Sequence, residues 1–268
     1  MRTFRVAVAF VAVLAAGTAV AAGQGTVPTV TVTAGATAVS ATPTPVAPGA
    51  TRFEFVADGT GGTVFLAAVK PGRTIDEVTA ALRANPDAAL ELLDIVASAS
   101  LTPGSRRAVT VDVQAGRTYL LINDAGKENP AEWIVAPLAT GGTPTGATAP
   151  AADATVTMRD LRFGGAKALP RSGTVRVRNV GWAPHFALAA PLRTSARKGA
   201  VARALLRGSD RALGRLLNFR NSLELTGVVT RGAVADQEVT FGKRGRYVLV
   251  CFFEGHNAQG MFRFVNVR

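Results

Sequence analysis

The chain has 268 residues, 48% of them hydrophobic, with 28 glycines and 14 prolines; that is apolar material for one large core or two modest ones, and too little Gly and Pro for a disordered polymer. Its formal charge of +12 raises nucleic acid as a partner, but aromatic and basic residues are not interleaved as in RNA-binding motifs, so nucleic acid is excluded. One cysteine and two histidines rule out an internal disulfide framework and any multinuclear imidazole site built by this polypeptide alone.

The N-terminus reads as a secretory signal over residues 1–22: Arg2 and Arg5, an apolar run over 6–16, then Ala19-Val20-Ala21 as a small-residue cleavage site. Gly17 and Thr18 cut the run below the roughly 20 residues a membrane span needs. The protein is therefore expected to be exported, to the periplasm, the cell surface or the medium. In that setting a lone cysteine is an intermolecular bridge, a free thiol, a small buried residue or a metal ligand.

Beyond the signal the chain repeats itself. V-F-L-A-A-V-K-P-G-R-T from Val64 matches H-F-A-L-A-A-P-L-R-T from His185, and each precedes a helical segment. In the first copy Thr74 and Glu77 predict a capping box, and Asn85-Pro86 a stop and restart. In the second, a helix is predicted from about Ser195 to Arg207, then a break at Gly208 with Ser209 capping a shorter helix. Two alternating strands joined by a basic Gly-containing turn follow in each copy, 108–121 and 236–250. The expected layout is a first copy over 27–138, a linker over 139–151 rich in Gly, Thr and Pro, and a second copy over 152–268. Short strands about every 8–12 residues with Gly/Pro turns predict a mainly β chain of two tandem antiparallel β-sandwiches, each with a helical insertion.

All the cysteine and histidine falls in the second copy: His185, then Cys251 and His256, with Met261 beyond. A thiolate and two imidazoles around an ion, with a weak thioether on the axis, are the donors of a blue-copper site. The first copy places Val64 and Asn123 where His185 and Cys251 would stand, so it is expected to hold no metal. Met158 is read as an ordinary strand residue.

The run G-R-Y-V-L-V-C-F-F-E-G-H-N-A-Q-G-M, with its C-x4-H-x4-M spacing, and the upstream N-V-G-W-A-P-H resemble the cupredoxins, the blue copper proteins that include plastocyanins, amicyanins and auracyanins. The resemblance covers about residues 152–268 and implies Greek-key sandwiches, the first a degenerate copy. It also implies one type 1 copper, with His185, Cys251 and His256 equatorial and Met261 axial. Asn179, Gly181 and Pro184 would shape the turn that delivers His185. His256 would reach the surface in an apolar patch of Trp182, Phe252 and Phe253. Phe186 and Glu254 depart from residues common in the family.

Residues 27–150 carry 8 Lys and Arg against 11 Asp and Glu, and residues 151–268 carry 20 against 7. Arg197, Lys198, Arg203, Arg207, Arg211 and Arg215 crowd the second helical insertion; Asp76, Glu77, Asp87, Glu91 and Asp94 crowd the first. The insertions are expected to pack together, or the basic face to steer an acidic redox partner protein or meet an anionic envelope surface. The function expected is a blue-copper electron carrier and not an enzyme. The alternatives are a copper-trafficking or sequestering protein and a metal-free cell-surface interaction module.

Overall fold

The computed structural model describes residues 26–268, so the expected signal segment lies outside the described residues. The first half contains β1 (Thr29–Ala34), β2 (Val39–Thr42), β3 (Gly49–Ala57), β4 (Gly62–Val69), α1 (Ile75–Ala84), α2 (Pro86–Ala89), β5 (Leu93–Leu101), β6 (Arg106–Val113), β7 (Tyr119–Asn123) and β8 (Ile134–Leu138). The second contains β9 (Ala154–Arg159), β10 (Arg162–Gly165), β11 (Ala168–Leu169), β12 (Ser172–Asn179), β13 (His185–Pro191), α3 (Lys198–Leu206), α4 (Asp210–Leu216), β14 (Leu223–Val229), β15 (Val234–Thr240), β16 (Gly245–Val250) and β17 (Phe262–Val267).

These strands form a sheet of order β5-β4-β7-β8, a sheet of order β11-β17-β16-β13-β14, and one eight-stranded sheet of order β10-β9-β12-β15-β6-β3-β1-β2. The last serves both halves, so the fold is two tandem cupredoxin-like sandwiches sharing a continuous sheet. Most ladders are antiparallel; β1 with β3, β9 with β12 and β11 with β17 run parallel.

The central strands show how sequence places the core. β16 reads Tyr-Val-Leu-Val over 247–250, an apolar run that lacks a polar face because both faces are covered. Tyr247, Leu249 and Cys251 share the period-2 face toward the sandwich core. Val248 and Val250 lie under the helical insertion with Val201, Leu205 and Leu213. Burying such a leucine contributes roughly 2 kcal/mol. β7 is built the same way, with Tyr119 and Leu121 in the sandwich and Leu120 and Ile122 under α1.

Thr74 caps α1 in the reciprocal arrangement its spacing predicts, Glu77 N–H to Thr74 Oγ1 at 3.2 Å and Thr74 N–H to Glu77 Oε2 at 2.8 Å. In the second insertion Ser209 stands at the N-cap of α4 without a side-chain cap bond, and α3 begins at Lys198, later than predicted.

The halves meet along two seams. β15 pairs with β6 through Asp236–Thr110 and Gln237–Val109, and Arg52 Nη2 donates to Glu238 Oε2 at 3.0 Å across that seam. Asp236 is buried there and accepts two bonds from Arg176, at 2.7 and 2.8 Å. At the second seam β14 lies against β5: Thr230 N–H donates to Ile95 O at 3.0 Å and Ser98 Oγ to Val228 O at 2.7 Å. Among the described residues no ion pair links the two helical insertions. The connecting segment follows the first half, with Gly141 N–H on Val46 O and Thr145 N–H on Pro48 O, both at 2.9 Å.

Strand register shifts one sequence-based equivalence. Tyr119 pairs with Ala68, and Tyr247 pairs with Pro191. Superposing the tyrosines sets Asn123 level with Cys251 but Val64 level with Ala187, two residues past His185. Sequence matching counts residues one for one, whereas the ladders of β13 with β16 and of β4 with β7 run without a shift and fix the level of each residue; the extra residues beside β13 lie on β14.

Candidate metal centre

Cys251 follows β16, His185 opens β13, and His256 and Met261 lie on the connection from β16 to β17. The loop is folded on itself: Met261 N–H donates to His256 O at 2.9 Å, and Cys251 N–H to Met261 O at 3.2 Å. Gly255 (φ 76°) and Gly260 (φ 103°) allow these turns, since a left-handed backbone costs glycine little. Asn257 Nδ2 donates to Leu205 O at 3.1 Å, anchoring the loop to α3.

The turn before His185 is held from inside. Asn179 is buried; its Nδ2 donates to Ala183 O at 2.9 Å and Val229 O at 3.0 Å, and its Oδ1 accepts Gly181 N–H at 3.0 Å. His185, packed between the sheets, is thus delivered by a turn whose polar groups are paired.

Three donors converge. His185 Nδ1 lies 3.2 Å from His256 Nδ1, Cys251 Sγ lies 3.6 Å from His256 Nδ1, and the three donor atoms all fall within 4.8 Å of one another. All three residues are buried, as is Met261, which packs in the same core as Cys251. Metal–nitrogen bonds of roughly 2.0–2.1 Å and a metal–sulfur bond of about 2.3 Å in a trigonal plane separate such donors by about 3.5–3.8 Å, and the 3.2 and 3.6 Å separations at His256 lie within a few tenths of an ångström of that. A soft thiolate with two imidazoles and a nearby thioether suits copper.

Protonation agrees with this. Burial pushes His185 down to about 4, helped by the facing His256, with Asp160 pulling the other way. Burial pushes the Cys251 thiol up, offset in part by the amides of Phe186 and Phe253. His185 and Cys251 are therefore neutral near pH 7 in the metal-free protein, and a bound cation would displace the thiol proton.

The surface expected around His256 is not there. His256 is only 7% exposed, with the Phe253 ring 5.7 Å away. Phe253 lines an apolar cavity of about 160 Å³ whose other walls include Phe65, Leu82, Leu90 and Trp133 of the first half. Phe252 instead lies tilted against Phe219, ring centres 6.3 Å apart, and Trp182 stands 75% exposed on the turn before His185. The three aromatics form no single patch because the first half covers the loop. The Glu254 side chain lies outside the described residues. Met158 is a buried strand residue.

The first half fills the corresponding space. Asn123 Nδ2 donates to Gly35 O and its Oδ1 accepts Ala125 N–H, both at 2.9 Å. Gly62, two residues before Val64, has no room for a side chain: a Cβ there would lie 2.5 Å from Asp124 Oδ1 and 2.6 Å from Gly126 N.

Sequence reasoning missed Asp160. It stands in the turn between β9 and β10, with Oδ1 3.7 Å from His185 Nε2, and that oxygen accepts Trp182 N–H at 2.9 Å and Ala183 N–H at 3.3 Å. No spacing rule ties residue 160 to residue 185; the one local signal is a polar turn.

No protein-family profile and no curated protein matches this chain. Among solved structures, auracyanin B aligns at 22% identity over 42% of this chain and 86% of its own, TM-score 0.28. A multicopper oxidase aligns at 13% over 90% of this chain and 88% of its own, TM-score 0.26. The copper nitrite reductase of Nitrosomonas europaea aligns at 12% over 90% and 94%, TM-score 0.26. Likeness of this degree carries no argument about chemistry. The sheets and the buried cluster define a cupredoxin-like protein with a donor set for copper.

One expectation falls here. The chains aligned over both halves are named as enzymes, so tandem sandwiches do not mark a carrier off from an enzyme, and the expectation that the protein is not an enzyme is corrected. The physical reason is that a histidine count bounds only the sites one polypeptide completes by itself; symmetric assemblies complete others between copies.

Proposed function

We propose that the protein is an exported type 1 copper protein, holding one copper through His185, Cys251 and His256 with Met261 on the axis, and that it takes part in single-electron transfer. The observation that carries this reading is the convergence of three buried donors within 4.8 Å. Copper supplies a one-electron couple whose potential depends on its axial ligand. The chain's own part is to keep the donors in one geometry. β13 and β16 are central paired strands, Asn179 and Asn257 lock the two loops, and burial excludes water from Cys251. Phe253, edge-on to the His256 ring, bridges the centre and the cavity between the halves.

Export rests on the signal-like residues 1–22; among the described residues no helix is long and apolar enough to cross a membrane. The basic helical insertion suits an acidic redox partner.

Cu(II) added to the purified protein is expected to give one intense thiolate-to-copper absorption band per chain, lost in Cys251→Ser, and reversible one-electron cycling. A colourless complex, or colour that survives Cys251→Ser, would overturn the reading. Stable copper uptake without reversible cycling would assign the site to storage or delivery instead.

A further inference from the structure

The imidazole of His185 has two ends, and only one faces the cluster. Its Nδ1 faces His256 Nδ1; its Nε2 is fully buried and makes no hydrogen bond among the described residues. An orphaned buried N–H costs about 1–3 kcal/mol, so what lies opposite matters. The group opposite is Asp160 Oδ1, at 3.7 Å.

Two further features hold that carboxylate in place. Its oxygen is tied by the Trp182 and Ala183 amides to the turn that delivers His185, so carboxylate and ring are registered by the same five residues. Gly181 keeps the gap between them clear: a Cβ there would lie 2.5 Å from Asp160 Oδ1 and 3.0 Å from His185 Nε2. Gly181 does not have a positive φ; the need for glycine is this close approach. Next to Asp160, Leu161 adopts φ 60°, a conformation that costs a branched residue on the order of 1 kcal/mol and persists where surroundings impose it.

We propose that Asp160 is a positioning residue for the metal centre: its carboxylate holds the proton of His185 on Nε2, leaves the Nδ1 lone pair aimed at the metal, and lowers the reduction potential by stabilising the more highly charged ion. This rests on the copper reading above. A neutral imidazole that ligates through one nitrogen must carry its proton on the other, and a carboxylate facing that proton fixes ring and tautomer and raises ligand basicity. Its negative charge also favours Cu(II) over Cu(I) through the ring. The sequence gives no motif for this role, because the partner comes from another strand pair.

The test uses the whole chain and two variants. Asp160→Asn keeps an acceptor for the Trp182 and Ala183 amides and removes the charge. Cu(II) affinity is expected to fall about tenfold with Cu(I) affinity unchanged, which corresponds to a rise in potential of about 59 mV for one electron. Asp160→Ala removes the acceptor, and nitrogen-15 NMR of the metal-free protein is expected to change from a single Nε2–H tautomer of His185 to a mixture. Gly181→Ala, which wedges carboxylate and ring apart while keeping both, should raise the potential in the same direction and covers the case in which an Asp160 variant fails to fold. Folded variants with unchanged potential and an unchanged His185 tautomer would overturn the proposal. If the parent protein takes up no copper, the copper reading fails by itself, and the tautomer of the metal-free protein still decides whether Asp160 positions His185.

Discussion

Asn123 and Cys251 stand at the same point of the two halves, each four residues beyond a buried tyrosine at the end of a central strand. The tyrosines are anchored alike: Tyr119 Oη accepts Gln114 N–H at 3.0 Å, and Tyr247 Oη donates to Lys243 O at 2.8 Å. One framework thus presents a metal donor in one half and a satisfied amide in the other.

Asn123 then stabilises the first half through its two bonds and has no part in metal binding. Asn123→Ala leaves Gly35 O and Ala125 N–H short of partners, with an expected loss of about 2 kcal/mol. Denaturant unfolding measures the loss, and copper stoichiometry should stay unchanged.

Met261 is fully buried beside Cys251. Met261→Leu conserves volume and should cost under about 1.5 kcal/mol, while removing a donor whose loss the more highly charged ion feels more. A blue complex with a higher potential in voltammetry is expected; an unchanged potential would remove Met261 from the axial position.

The metal-free protein should lose stability in acid over a defined window. His185 titrates near 6.5 when unfolded and is held down to about 4 in the fold. Between those values the unfolded chain binds a proton that the native chain refuses, so stability falls as pH drops from about 6.5 to 4 and this contribution stops changing below. The loss is on the order of 3 kcal/mol at most. Melting temperatures across that range test it, and His185→Gln should flatten the slope. Bound copper should raise melting temperature above the window, and acid should release it.

The seam between β14 and β5 should respond to one methyl group. A Cβ on Gly227 would lie 2.3 Å from Ser98 Oγ and 3.0 Å from the Ser98 carbonyl oxygen, and the latter is backbone that cannot swing away. Gly227→Ala is expected to cost about 1–3 kcal/mol and to separate the unfolding of the halves into two calorimetric transitions. A single unshifted transition would show that the seam is slack.

How much of this was legible in sequence depended on the range of each interaction. The capping box of Thr74 and Glu77, the stop at Asn85-Pro86, and the strands leading to Asn123 and Cys251 rest on neighbours a few residues away, and the local pattern carried them. The capping role of Ser209 did not hold, since a cap needs its hydroxyl aimed at a particular amide and composition does not aim it. Val64 was matched to His185 by counting, and the ladders to β7 and β16 set the level two residues differently. The surface expected around His256 failed because its cover comes from Phe65 and Trp133, more than a hundred residues away in the chain.

The sequence by itself determined the donors: with one cysteine and two histidines in 268 residues, any soft-metal site had to use Cys251, His185 and His256, because donor chemistry belongs to side-chain type. Tertiary structure alone decided how those donors are held. It put the first half over Phe253, joined β15 to β6 in one sheet, and brought Asp160 within 3.7 Å of His185. Those outcomes depend on which strand edges meet, and edges are matched by shape and burial across the whole chain.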